Sequence, residues 1–231
     1  MTAATAVTAD RSGLRSGQRW LVAALLPIGP AAVALLRFVL PYDTVDDAAT
    51  IVRKVSADPG AQSLVLWLGL VAVLTLVPAV LAAGRLTRDG APRLTAAALL
   101  LLVPGYLALG WITAGDALLW AGAHAGVDEP TLTLLYESAH PTLAIAEILF
   151  VFGHVVGTVL LGVAMWRSAA VPRWAAVATA VSQPLHFVAA IVLVSHPLDL
   201  VAWGLNAAGF AAVALALLRL PDRAAPRTLG V

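Results

Sequence analysis

Apolar residues run along the chain in six long blocks separated by short polar connections. The blocks extend from about Trp20 to Leu40, Ser63 to Leu86, Leu94 to Leu118, Thr142 to Trp166, Trp174 to Val194 and Leu198 to Leu220. A membrane-crossing helix needs about 20 mostly apolar residues, and each block meets that length. The pattern predicts an all-α fold: a polytopic membrane helix bundle of six transmembrane helices filling residues 20–220, with a polar segment at 1–19 and a tail at 221–231. Too little chain is left over for a separate soluble domain.

The connections carry their own pattern. Between the first two blocks, Val45, Ala48, Val52 and Val55 recur at helical spacing, acidic residues come first and Arg53-Lys54 come last, as a helix dipole prefers. Asp43 is expected to cap this short amphipathic helix, and Asp58-Pro59-Gly60 to stop it. Between the third and fourth blocks, Asp128-Glu129-Pro130 reads as a cap with proline in the first turn, followed by Leu132, Leu135 and Tyr136. Both helices are expected at the outer membrane interface. Pro27 and Pro30 are able to interrupt the first block.

Composition strengthens the membrane reading. Hydrophobic residues make up 61% of the 231-residue chain and charged residues only 12%, about half the charged share of a typical globular protein. The net charge of +1 argues against a nucleic-acid partner, which asks for a dense basic face. With no cysteine in the chain, disulfides, thiolate metal sites, iron–sulfur clusters and a cysteine nucleophile are excluded. Charge also orients the bundle. Arg11, Arg15, Arg19, Arg85, Arg88, Arg93, Arg167, Arg173, Arg219, Arg223 and Arg227 fall on the side of the termini, and Arg37, Arg53 and Lys54 on the other. The excess places both termini in the cytoplasm. The first block is followed by Arg37-Phe38-Val39-Leu40-Pro41, without the small-x-small site of a cleaved signal peptide, and is expected to be retained. Arginine far outnumbers lysine and alanine is abundant, which points to a GC-rich bacterial genome and a bacterial plasma membrane.

The turns on the cytoplasmic side resemble one another: Ala91-Pro92-Arg93-Leu94, Val171-Pro172-Arg173-Trp174 and Ala225-Pro226-Arg227. Together with the Ala/Leu-rich spans, the Val171-Pro172-Arg173-Trp174-Ala175-Ala176 turn resembles those of small six-span actinobacterial integral membrane proteins of unknown function. The likeness covers most of the chain in layout and about ten residues in motif. It implies six helices and a plasma-membrane location, and brings no activity, cofactor or site residue with it.

Polar side chains inside the blocks are the candidate chemistry, because each costs on the order of 2.5–3.5 kcal/mol to insert when charged. At about 1.5 Å per residue from the outer end, Arg37 lies roughly 6 Å deep, Asp116 roughly 8 Å, Glu147 roughly 10 Å, Asn206 roughly 13 Å, His186 roughly 15 Å, and Gln183 and His154 roughly 20 Å. His140, His196 and Asp199 fall at the outer rim, where they are expected to snorkel or be hydrated. His140, Glu147 and His154 are spaced by seven and share a stripe that drifts about 20° per step. Thr179, Ser182, Gln183 and His186 share one face. Asp199, Trp203, Asn206 and Phe210 share another, and Tyr106, Thr113 and Trp120 a third, with Asp116 beside it. Such stripes are expected to converge on an interior pocket open toward the outer leaflet. Glu147, His154 and His186 are its candidate catalytic residues. Asn206, Gln183, Asp116, Trp203, Tyr106 and Arg37 are its candidate lining. The plainer alternative is that these groups only hydrogen-bond neighbouring helices, at roughly 0.6 kcal/mol each.

Three chemistries are open to this set, beside one reading without chemistry. A metal would need single ligands from several helices, since no HxxxH, HExxH or ExxH places two ligands on one turn. Haem would use His140 and His154, fourteen residues apart, or His186 and His196. Acid–base catalysis on a small lipophilic molecule needs a carboxylic acid and a histidine beside aromatic walls, and calls for no cofactor. The rival class is binding without chemistry, in a transporter or an accessory scaffold. Gly153 and Gly157 form a small-xxx-small step suited to close contact within the bundle or in a homodimer.

Overall fold

The computed structural model describes residues 16–220. The segment 221–231 and most of 1–19 lie outside them, with Arg11, Arg15, Arg223 and Arg227. Within the described residues the chain is helical and contains no strand. Helices α1 (Ser16–Leu25) and α2 (Ile28–Val39) make the first crossing. They are followed by α3 (Ala48–Ala57), α4 (Pro59–Thr87), α5 (Pro92–His124), α6 (Glu129–Glu137), α7 (Thr142–Ser168), α8 (Arg173–Phe187) and α9 (His196–Leu218). A π-helical turn, Val188–Val192, continues α8. Six helical segments, 17–39, 59–87, 92–124, 142–168, 173–192 and 196–218, are long and apolar enough to cross a membrane.

Proline sets several of the breaks. α1 ends at Leu25 and α2 begins at Ile28 because Pro27, which lacks an N–H, sits between them. Pro92 opens α5 and Pro172 caps α8, so two of the similar turns serve as helix starts. Asp58 closes α3 and also caps α4, accepting from the Ala61 N–H at 2.9 Å. The cap of α3 is Asp47, whose Oδ1 accepts from the Thr50 N–H at 2.7 Å. Asp43, the cap expected from the sequence, instead accepts from Lys54 Nζ at 2.8 Å. Asp128 caps α6 through the Thr131 N–H at 3.0 Å, as its sequence predicted.

The main core joins all six crossings through small and aliphatic residues around Leu76, Leu102, Leu161, Met165, Trp203 and Phe210. A close seam lies between α5 and α7. A methyl group at Gly153 would meet the Leu101 carbonyl oxygen at 2.6 Å and Gly105 Cα at 3.0 Å, and one at Gly157 would meet Leu102 at 2.7 Å. These glycines therefore serve contact within the bundle. At the end of the bundle away from the termini, Ile51, Val52 and Val55 of α3 form a second core with Leu119 and Leu132. The two short helices thus pack on each other and on α5, as a roof over that end. Large hydrophobics such as Trp67, Leu74, Leu107, Leu118 and Ile148 are exposed on the outside of the bundle, consistent with contact to a lipid bilayer.

Candidate functional site

Under the roof lies a cavity of about 320 Å³ bounded by α2, α5, α7, the end of α8, its π turn and α9. Glu147, His154, His186, Trp203, Asp116 and Arg37 all line it. The heptad step of α7 puts Glu147 and His154 on one wall. His140, the third member of the expected stripe, does not belong there. It lies before the start of α7, exposed, with Nδ1 3.0 Å from Thr142 Oγ1. The stripe presumed a helix two residues longer than the one that forms after Pro141.

The electrostatic centre is Asp199. Its distance from the helix end predicts a hydrated rim position, yet Asp199 is 0% exposed. Arg37 Nε donates to its Oδ2 at 2.6 Å, and His186 Nδ1 to its Oδ1 at 2.5 Å. Arg37 Nη2 also donates to Thr44 Oγ1 at 2.7 Å, which draws the 40–47 loop across this end of the bundle. Asp199 shares a helix face with Trp203 and Asn206, and that shared face was the signal for its inward position. A charge buried this deeply needs such partners.

Two histidines stand side by side beneath it. Their ring centroids are 5.3 Å apart, and each ring packs on Trp203, at 5.7 Å for His154 and 5.5 Å for His186. The tautomers follow from the partners. His186 Nδ1 faces a carboxylate and His154 Nδ1 faces the Phe150 carbonyl at 2.5 Å, so both Nδ1 atoms carry hydrogen. In the neutral rings both Nε2 atoms are then acceptors. That of His154 is buried without a partner, and that of His186 is the nitrogen left for the cavity.

The cavity also holds two acids, Asp116 of α5 and Glu147 of α7. Asp116 Oδ1 accepts from the Tyr42 hydroxyl at 3.0 Å, a contact the sequence did not signal. Burial and the neighbouring Asp116 push the Tyr42 phenol well above its usual range. Burial, Asp116 and Glu147 push that of Tyr136 up to about 12. Both acids therefore act on the roof tyrosines. Glu147 itself has no hydrogen-bond or ion-pair partner among the described residues, because Arg37 is engaged by Asp199.

Asn206, Gln183 and Tyr106 are fully buried but lie outside the cavity wall. The Tyr106 hydroxyl faces Thr158 and Asn206, one helical turn deeper than His154 and Trp203. The cavity floor is thus aromatic, with a polar layer behind it.

The cavity reaches the bundle surface on one side. α7 packs along α8 but makes no contact with the π turn that follows. Val151 (45% exposed) of α7 and Ile191 (40% exposed) of the turn line the cavity from the two sides of this gap. A π turn within a helix often marks a functional site, and here it carries the chain away from α7.

This arrangement suits proton transfer. It offers no ready chelate, since no group of three or more His, Asp or Glu is placed to hold a metal ion among the described residues. His154 and His186 also stand too close together, both against one indole, to sandwich a macrocycle. Comparison with protein-family models, curated proteins and solved structures finds no match to this chain, so a functional reading rests on the geometry of the site.

Proposed function

We propose that this is a multi-pass protein of a bacterial plasma membrane, with both termini cytoplasmic, whose cavity takes a small lipophilic molecule from the outer leaflet and acts on it by acid–base chemistry. The arginine excess around the terminal-side turns supports the orientation. It puts the roofed end outside and the gap between α7 and the π turn in the outer half of the bilayer. A side opening there favours a ligand already dissolved in lipid, and the mostly apolar wall favours burying its hydrocarbon.

The observation that carries this reading is the Arg37–Asp199–His186 relay at the cavity wall. With Nδ1 held by Asp199, His186 Nε2 accepts a proton from the ligand, and Asp199 stabilises the imidazolium that forms. Arg37 holds the Asp199 carboxylate in place. The His186 imidazolium then returns the proton to the ligand at a second position, while the Glu147 carboxylate, which also lines the cavity, orients the ligand. Helix-to-helix bonding alone accounts poorly for a histidine aligned on a buried carboxylate while its other nitrogen faces open space.

The test is to purify the protein in lipid nanodiscs and identify co-purifying small molecules by mass spectrometry. Val151→Trp, which fills the gap, should abolish the specific species. His186→Gln should retain binding while conversion of the identified molecule falls by about 10²–10⁴-fold, the contribution of a positioned acid or base. Identical small-molecule content in wild type and Val151→Trp would remove the proposal.

A further inference from the structure

The polar inventory of the cavity is lopsided. Arg37 lines the cavity but is paired with Asp199 behind the wall, while two further carboxylates, Asp116 and Glu147, line the cavity itself. Arg37 is 2.6 Å from Asp199 and spends a second nitrogen on Thr44. Asp116 has only the neutral Tyr42 hydroxyl, and Glu147 has no partner among the described residues. The hydrogen-bonding balance leans the same way. His154 is 1% exposed, lines the cavity, and presents an Nε2 with no donor to satisfy it. A buried acceptor without a donor costs about 1–3 kcal/mol, and Asp116, which is buried with no cation beside it, costs more; Glu147 lines the cavity as well but is exposed. Aromatic faces of Tyr136, Phe150 and Trp203 complete the wall.

Resting on the ligand-binding reading above, we infer that the molecule taken by this cavity is a lipophilic amine, whose ammonium sits between Glu147 and Asp116 while its hydrocarbon lies toward the gap beside Val151. An ammonium brings three donors and no acceptor, which answers the Asp116 and Glu147 carboxylates and His154 Nε2, although Trp203 Nε1 is an unpartnered donor in the same lining. It supplies the missing positive charge, and it is attracted by aromatic faces. A carboxylate or phosphate head would meet two like charges with Arg37 already engaged. An alcohol would satisfy one acceptor and leave the charges unpaired. The ammonium on an alkyl chain has two sources, a free long-chain amine or the headgroup of an aminophospholipid.

The experiment uses the full chain in phosphatidylcholine nanodiscs and three matched probes, an ω-bromoalkylamine, the corresponding alcohol and the corresponding carboxylate. Bromine quenches indole at contact, so the quenching lost in Trp203→Phe isolates the cavity from bulk lipid. The amine is expected to reach half its Trp203-dependent quenching at a concentration at least about tenfold lower than the alcohol, a difference of about 1.4 kcal/mol. The carboxylate is expected to be the weakest. Glu147→Gln and Asp116→Asn should each reduce the preference for amine over alcohol, and the double variant should erase it. Adding phosphatidylethanolamine separates the sources: competition identifies the lipid headgroup, and its absence identifies a free amine. Equal binding of amine and alcohol, or a preference for the carboxylate, would overturn the inference while leaving the cavity reading in place. No Trp203-dependent quenching by any probe would overturn the cavity reading itself.

Discussion

Asparagine at position 199 removes one charge and almost no volume. It leaves the Arg37 guanidinium, only 13% exposed, beside a neutral amide, and deprives His186 of its anionic acceptor. Breaking a buried ion pair from one side costs about 3–5 kcal/mol, most of it the desolvation of the charge left behind. At 2–4 °C per kcal/mol for a chain of this size, the Asp199→Asn midpoint should fall by roughly 6–20 °C. Thermal unfolding in nanodiscs, followed by intrinsic tryptophan fluorescence, reads this directly. The cycle is closed by Arg37→Met. That variant should cost less than Asp199→Asn, because His186 can take up a proton and keep Asp199 paired. The double variant leaves no unpaired charge, so its cost should fall short of the sum of the singles by about 1–3 kcal/mol. A midpoint for Asp199→Asn within 2 °C of wild type, or strictly additive single costs, would refute the placement of Asp199 as a buried centre.

Gly153→Ala puts a methyl group against the Leu101 carbonyl oxygen and should cost about 1–3 kcal/mol through overpacking. The control Gly204→Ala meets nothing within 4 Å and should be neutral or slightly stabilising in the same melting assay. Tyr136 ionises near pH 12, so the tyrosinate absorbance lost in Tyr136→Phe should lie above pH 11; a loss at pH 10 would place that phenol in water. Hydrogen bonds from the Thr50 and Thr131 amides hold Asp47 and Asp128 below the usual carboxylate range. Their contribution is therefore complete above the unfolded value of about 3.9 and is lost as pH falls through the lower folded value. Amide exchange at Thr50 and Thr131, corrected for intrinsic rates, should be protected at neutral pH and lose protection below about pH 4. Unchanged protection there would contradict the capping roles.

The six crossings were legible because hydrophobic length is the strongest signal a membrane chain carries. The prolines at 27 and 92 read correctly as a break and a start, since their effect is local. The meeting of Glu147, His154 and His186 at one cavity followed from helical faces, which are also local geometry. What could not be read was how neighbouring elements cover one another. Asp199 looked hydrated because its distance from the helix end was short, but Arg37, Thr44 and the 40–47 loop close over it. Tyr42, in a loop with no periodicity, gave no sign that it would reach Asp116 from 74 residues away. Asn206, Gln183 and Tyr106 share the inward faces and still lie behind the cavity, because Trp203 and His154 come between. The π turn is invisible to hydropathy, since Val188 to Val192 reads as ordinary apolar helix. It is nevertheless what leaves α7 unpaired at this end.

The most direct test of that opening is an experimental structure of the protein in lipid nanodiscs. The expected result is elongated density passing between α7 and the π turn beside Val151 and Ile191, with its polar end within hydrogen-bond reach of His186 or Glu147. A closed seam, with α7 packed against residues 188–192 and no space in front of His186, would contradict it.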